Sequence, residues 1–179
     1  MELTEGKVRL REFSMADSGS LALLANNKNI WDNVRDILPH PYRKKDAISF
    51  IRKCQAETPQ MTFAIEYAGA FCGVTGMIRM EDVYRYTAEV GYWIGEPFWN
   101  KGIATKALKL ITEYGFGLLK LIRIQASVFE TNEASKKVLE KCGYQLEGIS
   151  KMAVMKKGVI MDEFRYGKYR EPDVSDKQR

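Results

Sequence analysis

From residue 103 to residue 118 the apolar side chains Ile103, Ala107, Leu110, Ile111, Tyr114 and Leu118 recur every three or four positions, which predicts one stripe along a helix of several turns. Other stretches carry a period of two. Residues 7–13 set Val8 and Leu10 against a partly polar opposite face and read as a first strand. Residues 61–67 and 71–80 read as two strands joined by a short hairpin loop at Ala68-Gly69-Ala70. Residues 86–94 supply another strand, and residues 121–128 an apolar one. Between them, residues 15–25, capped by Ser14, and residues 46–54, with Ala47, Phe50, Ile51 and Cys54 on one face, are expected to be helical. Residues 132–141 form a capped helix ended by Gly143, and residues 144–170 two strands around Lys157-Gly158.

A chain of 179 residues, 45% of them hydrophobic, is large enough for one core without the help of a disulfide or a metal. Residues 1–170 are therefore expected to form a single domain, with residues 171–179 a polar, frayed tail. The cysteines at 54, 72 and 142 have neither the even count nor the close spacing of a secreted framework or a zinc site, which fits a reducing cytoplasm and predicts no metal. The amino terminus lacks an apolar signal core, and no run approaches the ~18 apolar residues of a membrane span, so neither secretion nor a membrane is expected. The one histidine, His40, lies between Pro39 and Pro41 and is a poor base for a Ser-His or Cys-His device. The formal charge of +5 accommodates a phosphate-bearing ligand, and no nucleic-acid module is visible.

The segment from Ala88 to Ala107 carries the chemistry, because a strand there runs through a loop into the long helix. The first amides of a helix lack intrahelical partners, the helix dipole is positive at that end, and small residues at Gly102 and Ala104 let a pyrophosphate approach the backbone. Neither the dinucleotide pattern G-x-G-x-x-G nor the nucleotide pattern G-x-x-x-x-G-K-S/T fits the residues around Gly95 and Gly102. Taken alone, the junction is equally a plain strand-to-helix turn.

The strings W-N-K-G-I-A-T-K-A and R-I-Q-A-S-V-F-E-T-N-E-A-S-K-K-V-L-E-K-C-G-Y-Q-L-E-G resemble the GNAT acetyltransferase superfamily in its RimJ/RimL-like branch. The resemblance is densest from Glu89 to Gly148, and Pro39-His40-Pro41-Tyr42 with Asp46-Ala47 shares it. It implies a single-domain α/β GNAT-like fold with a mixed, mostly antiparallel sheet, flanked by helices, whose central strands at 86–94 and 121–128 splay apart to admit acetyl-CoA. The backbone at Trp93 and Ile94 would follow the pantetheine arm, and the amides of Lys101, Gly102, Ile103, Ala104 and Thr105 would surround the pyrophosphate. Asn132 and Ser135 stand at the N-x-x-S positions that meet the pantetheine or its thioester, with helix capping as the other role open to Asn132. Lys106, Lys136 and Lys137 are candidate partners for the 3′-phosphate. Trp99 departs from the Gln or Arg that opens the family's acyl-CoA motif.

Direct transfer needs an uncharged amine, and the resemblance makes Glu89 the leading base, while strand alternation leaves open which face of the strand meets the cleft. The tyrosine that many relatives use as acid is absent from its helix, where Glu140 stands with Leu139 beside it. Ser135 through a water is one substitute, Tyr144 a second with core packing as its other role, and direct departure of a stabilised thiolate a third. The expected function is acetyl-CoA-dependent N-acetyl transfer to an amine acceptor, either a peptide N-terminus or a small molecule, by a monomer or homodimer. A non-catalytic acyl-CoA-binding or ribosome-associated module is the alternative.

Overall fold

The first two strands, β1 (Glu2–Glu5) and β2 (Val8–Arg11), form a hairpin through Gly6-Lys7, with Glu5 opposite Val8. Only β2 is legible in the sequence: β1 is an edge strand with no buried residue, so it carries no apolar face to read. The structure is a computed structural model that describes residues 2–170; the expected tail at 171–179 lies outside the described residues. A 3-10 turn at Met15–Asp17 leads into α1 (Ser18–Ala25), and Ser14 does cap it. Its hydroxyl accepts the Ala16 N–H, and Asp17 accepts the Ser14 N–H in return. A single turn, α2 (Lys28–Trp31), has too few residues to show a period and was not expected. Next come α3 (Lys44–Gln55), β3 (Thr62–Tyr67), β4 (Ala70–Arg79), β5 (Thr87–Ile94) and α4 (Ile103–Gly117). The chain closes with β6 (Arg123–Phe129), α5 (Glu133–Lys141), β7 (Gln145–Lys156) and β8 (Val159–Tyr169).

Eight strands form a mixed sheet in the order β1-β2-β3-β4-β5-β6-β8-β7. The pairs β1–β2, β2–β3, β3–β4, β6–β8 and β7–β8 are antiparallel, and β5–β6 is parallel. This is the expected α/β architecture. The β5–β6 ladder holds only Thr87–Glu89 against Arg123–Gln125, although β5 continues to Ile94 and β6 to Phe129.

The chain divides into two compact units, and β4 and β5 run through both. The first takes in residues through Met77 together with Gly91–Ile111. Its core gathers Phe13, Leu21, Tyr42, Ile51, Phe71 and Val74, and Phe13 sets its ring edge-on to Phe50 at 5.5 Å. At its margin Arg9 and Arg11 share Glu66, each at 2.8 Å, and Arg11 also grips Asp17 at 2.8 Å. The second unit takes in Ile78–Val90 and the chain from Thr112 onward. Within it Ile124, Leu139, Tyr144 and Tyr166 are buried, and the Thr112 and Tyr144 hydroxyls meet at 2.7 Å. All three cysteines are free and buried, and burial pushes Cys54 and Cys72 up to about 12. Among the described residues no helix is long and apolar enough to cross a membrane.

Candidate functional site

In the first unit, the end of β5 delivers the chain to a loop closed by its own hydrogen bonds. The Gly95 N–H donates to the Cys72 carbonyl at 2.8 Å, and the Trp99 indole N–H donates to the Ile94 carbonyl at 2.6 Å. Trp99, the departure from the family motif, therefore pins the loop onto the strand end. The same bond engages the Ile94 carbonyl, one of the backbone groups expected to follow the pantetheine. Trp93 packs against the first unit's core. Its carbonyl comes so near Gly73 that a Cβ there would lie 2.3 Å away, so β4 and β5 approach this closely only because residue 73 is glycine.

Asn100 at φ 60° and Gly102 at φ 69° then take two left-handed steps into α4. The Lys106 N–H reaches back to the Gly102 carbonyl at 3.3 Å. Ile103, Ala104 and Thr105 therefore lie in the first turn, ahead of the first amide that closes a helical bond. Ile103 and Ala107 are buried and hold the helix in place, whereas a Cβ added at Gly102 would meet nothing within 4 Å. An open left-handed glycine ahead of a helix start fits a pyrophosphate. The Lys101 ammonium is tied to the Pro97 carbonyl at 3.0 Å, which leaves its backbone amide as the group facing the role expected of it. The loop is also held from behind: Asn27 and Asn29 donate to Glu96 at 2.6 and 3.1 Å, and the Asn27 bond leads in holding that carboxyl below its ordinary range.

The second unit answers which way Glu89 faces. Its ladder partner is Gln125, which pairs with Gly167, so Glu89 shares a sheet face with Arg123, Gln125, Ser127 and Arg165. Ala88 and Val90 are buried on the other side. That polar face holds a hollow of about 350 Å³ lined by Arg123, Gln125, Ser127, Glu147, Ser150 and Arg165. Arg123 and Glu147 form a two-pronged pair, one prong at 2.7 Å, and the Arg123 guanidinium holds the Glu147 carboxyl below its ordinary range. Arg165 lies 3.5 Å from Glu163 and keeps 63% of its side chain exposed. The expectation of an apolar strand at 121–128 misses this row. Every second position of β6 from Arg123 to Ser127 is polar, and the alternation Arg123, Gln125, Ser127 is the signal that the sequence offers for it.

The expected helix after β6 starts as predicted: the Asn132 side chain accepts the Ser135 N–H at 3.1 Å, so the cap role is real. Tyr166 donates to Glu140 at 3.0 Å and the Lys136 ammonium sits 3.8 Å over the Phe164 ring. Phe164 and Tyr166 alternate with Arg165, so α5, which carries Ser135, packs on the face opposite Glu89 and Gln125. Lys136 also donates to the Glu130 carbonyl at 2.7 Å and to Glu133 at 2.6 Å, so this candidate for the 3′-phosphate is already fully engaged. Tyr144 is buried in its bond to Thr112 and is not positioned as an acid. His40 stacks on Trp31 at 5.4 Å. Among the described residues no cluster of three or more His, Cys, Asp or Glu could hold a metal.

Comparison with known proteins identifies the family and the fold. The family model described as "Acetyltransferase (GNAT) domain" matches residues 7–145. The chain is 25% identical over 166 residues to the uncharacterized N-acetyltransferase YnaD of Bacillus subtilis (strain 168), covering 93% of this chain and 95% of the relative. It is 28% identical over 142 residues to the spermidine N(1)-acetyltransferase of Escherichia coli (strain K12), covering 79% and 74%. Its fold superposes with TM-score 0.84 on a RimL ribosomal L7/L12 alpha-N-protein acetyltransferase in complex with coenzyme A, at 19% identity over 94% of this chain and 98% of that one.

Proposed function

This chain belongs to the GNAT acetyltransferase family and is an N-acetyltransferase, and from that premise we propose that it acetylates the α-amine of a peptide or amino-acid-like acceptor by direct attack. Bound acetyl-CoA supplies a thioester carbonyl that an uncharged amine attacks, the C–N bond forming as the C–S bond breaks. The amides of Lys101, Gly102, Ile103, Ala104 and Thr105 hold the pyrophosphate, and the backbone at Trp93 and Ile94 guides the pantetheine. Asn132 and Ser135 are assigned to the pantetheine end, where Ser135 and a water relay to the departing thiolate the second proton that the attacking nitrogen sheds as the amide forms.

Glu89 takes the proton from the acceptor's ammonium. An α-amine of pKa ~7.7–8.0 needs only about 1–1.4 kcal/mol to be neutral at pH 7, against about 4.6 kcal/mol for a lysine-like amine of pKa ~10.4. A carboxylate base suffices for the first.

The observation that carries the acceptor class is the charge of the hollow on Glu89's face. It holds two arginines, and its one carboxylate, Glu147, is already neutralised by Arg123; Arg165 reaches Glu163 only at 3.5 Å and stays largely exposed. Such a lining offers a polyamine no unpaired carboxylate and presents Arg165, Gln125, Ser127 and Ser150 to carbonyls and carboxylates. The similarity to a spermidine acetyltransferase supports the second reading, a polyamine acceptor. The two separate in a thiol-release assay that compares short peptides bearing free N-termini with spermidine. At least about tenfold higher kcat/KM on a peptide, lost in Arg165→Glu, is expected. Spermidine turned over as well as any peptide overturns the acceptor class. Three separate buried thiols also suit a reducing cytoplasm, which we assign as the compartment.

A further inference from the structure

The outward face of α3 carries cations that nothing among the described residues neutralises. Lys45, Arg52 and Lys53, with Ile48, Ser49 and Ala56, line an open groove of about 550 Å³. Lys44 is exposed at the head of the same helix. Among the described residues none of these four cations makes an ion pair or a hydrogen bond. The carboxylates close by in the chain are turned to other work. Asp46 accepts the Arg43 N–H at 2.9 Å, and Glu57 accepts the N–H groups of Met61 and Thr62 at 2.9 and 2.8 Å. Burying Ala47, Ile51 and Cys54 on the opposite side fixes α3 in place, so the cations are presented on a rigid element.

The spacing of the groove has a complement. Lys45 and Arg52 stand seven residues apart, two helical turns or about 10.5 Å, with the half-buried Ile48 between them on the same face. Four like charges on so short a surface repel one another, and a partner's carboxylates relieve that repulsion while an apolar side chain covers Ile48. We propose that this face docks an acidic helical segment of a protein partner, with carboxylates two turns apart and an apolar residue between them. A single-stranded nucleic acid is the poorer fit. The groove contains no aromatic ring on which a base stacks, and its floor is Ile48 and Ala56 rather than a continuous cationic track.

The test uses the full chain and a fluorescent peptide of about 15 residues with Glu at i and i+7 and Leu at i+4, a scrambled peptide of the same composition, and an oligouridylate of matched charge. Anisotropy is read at about 50 and about 200 mM salt. The patterned peptide is expected to bind more tightly than either control and more weakly at the higher salt. The variant K45E/R52E/K53E should lose at least about tenfold and Ile48→Ser at least about threefold, with thermal midpoints near the wild type's. Tighter binding of the oligouridylate, an Ile48→Ser protein that binds as the wild type does, or no binding of the patterned peptide overturns the proposal.

Discussion

Replacing Gly102 separates what the loop needs to fold from what the cofactor needs to bind. In the free protein a Cβ at this position meets nothing within 4 Å, so Gly102→Ala creates no clash and its folding penalty is the left-handed backbone alone. At φ 69° that penalty is about 1–2 kcal/mol for alanine. In a domain of this size it lowers Tm by about 2–8 °C. Gly102→Asn should unfold less readily than Gly102→Ala, because asparagine visits this conformation with less strain. Both side chains, however, occupy the open space through which a pyrophosphate reaches the amides at the head of α4. Losing one amide-to-phosphate hydrogen bond removes about 1.5–3 kcal/mol of binding, which is about 10–150-fold in the coenzyme A dissociation constant. Calorimetric titration with coenzyme A and scanning of the unliganded proteins read the two quantities independently. Wild-type affinity in a folded Gly102→Asn protein would refute the cradle and leave Gly102 with a purely conformational role.

Glu89→Gln keeps shape and hydrogen bonding but removes the proton acceptor. The kcat at neutral pH should fall by about 10²–10⁴-fold with coenzyme A affinity unchanged, and the deficit should shrink as pH rises; near-wild-type turnover would exclude Glu89 as base. Asn132→Ala removes the cap of α5 and should lower stability by about 1 kcal/mol in a melting experiment; if coenzyme A affinity is then unchanged, Asn132 is a cap only. The Arg9–Glu66–Arg11–Asp17 cluster sets the acid limb of stability. Hydrogen bonds from Arg9 and then Arg11 hold the Glu66 carboxyl below its ordinary range, while Asp17, raised by burial, is brought below its own on balance by Arg11 and the Ser14 N–H. Carboxyls lowered in the folded state contribute stability that is complete above about pH 5 and lost as pH falls toward their folded values. Glu66→Gln should therefore flatten the melting-temperature profile below about pH 5, and an unchanged acid limb would show that the cluster contributes nothing there.

Features that depend on neighbours in the chain are legible in the amino-acid sequence itself. The stripe of α4, the Ser14 and Asn132 caps and the glycine-bearing turn before α4 are set by spacing and by local hydrogen bonding, which residues a few positions apart decide among themselves. The motif around Gly102, which we propose as an anion cradle, is readable for the same reason: such a cradle is built of consecutive amides, whatever the side chains. Long-range pairing decides the rest. A carboxylate on a strand faces one side or the other according to its partner, so only the register of Glu89 with Gln125 gives Glu89 its direction. Lys136 looks like any surface lysine in sequence, and although Glu130 and Glu133 are near it in the chain, its seat over Phe164 depends on β8 arriving beneath α5. The edge strand β1 escapes a reading of the sequence because a strand buried on neither face carries no apolar pattern, whereas the polar row on β6 is written in the alternation of Arg123, Gln125 and Ser127 and only the side to which it turns is decided by what packs there.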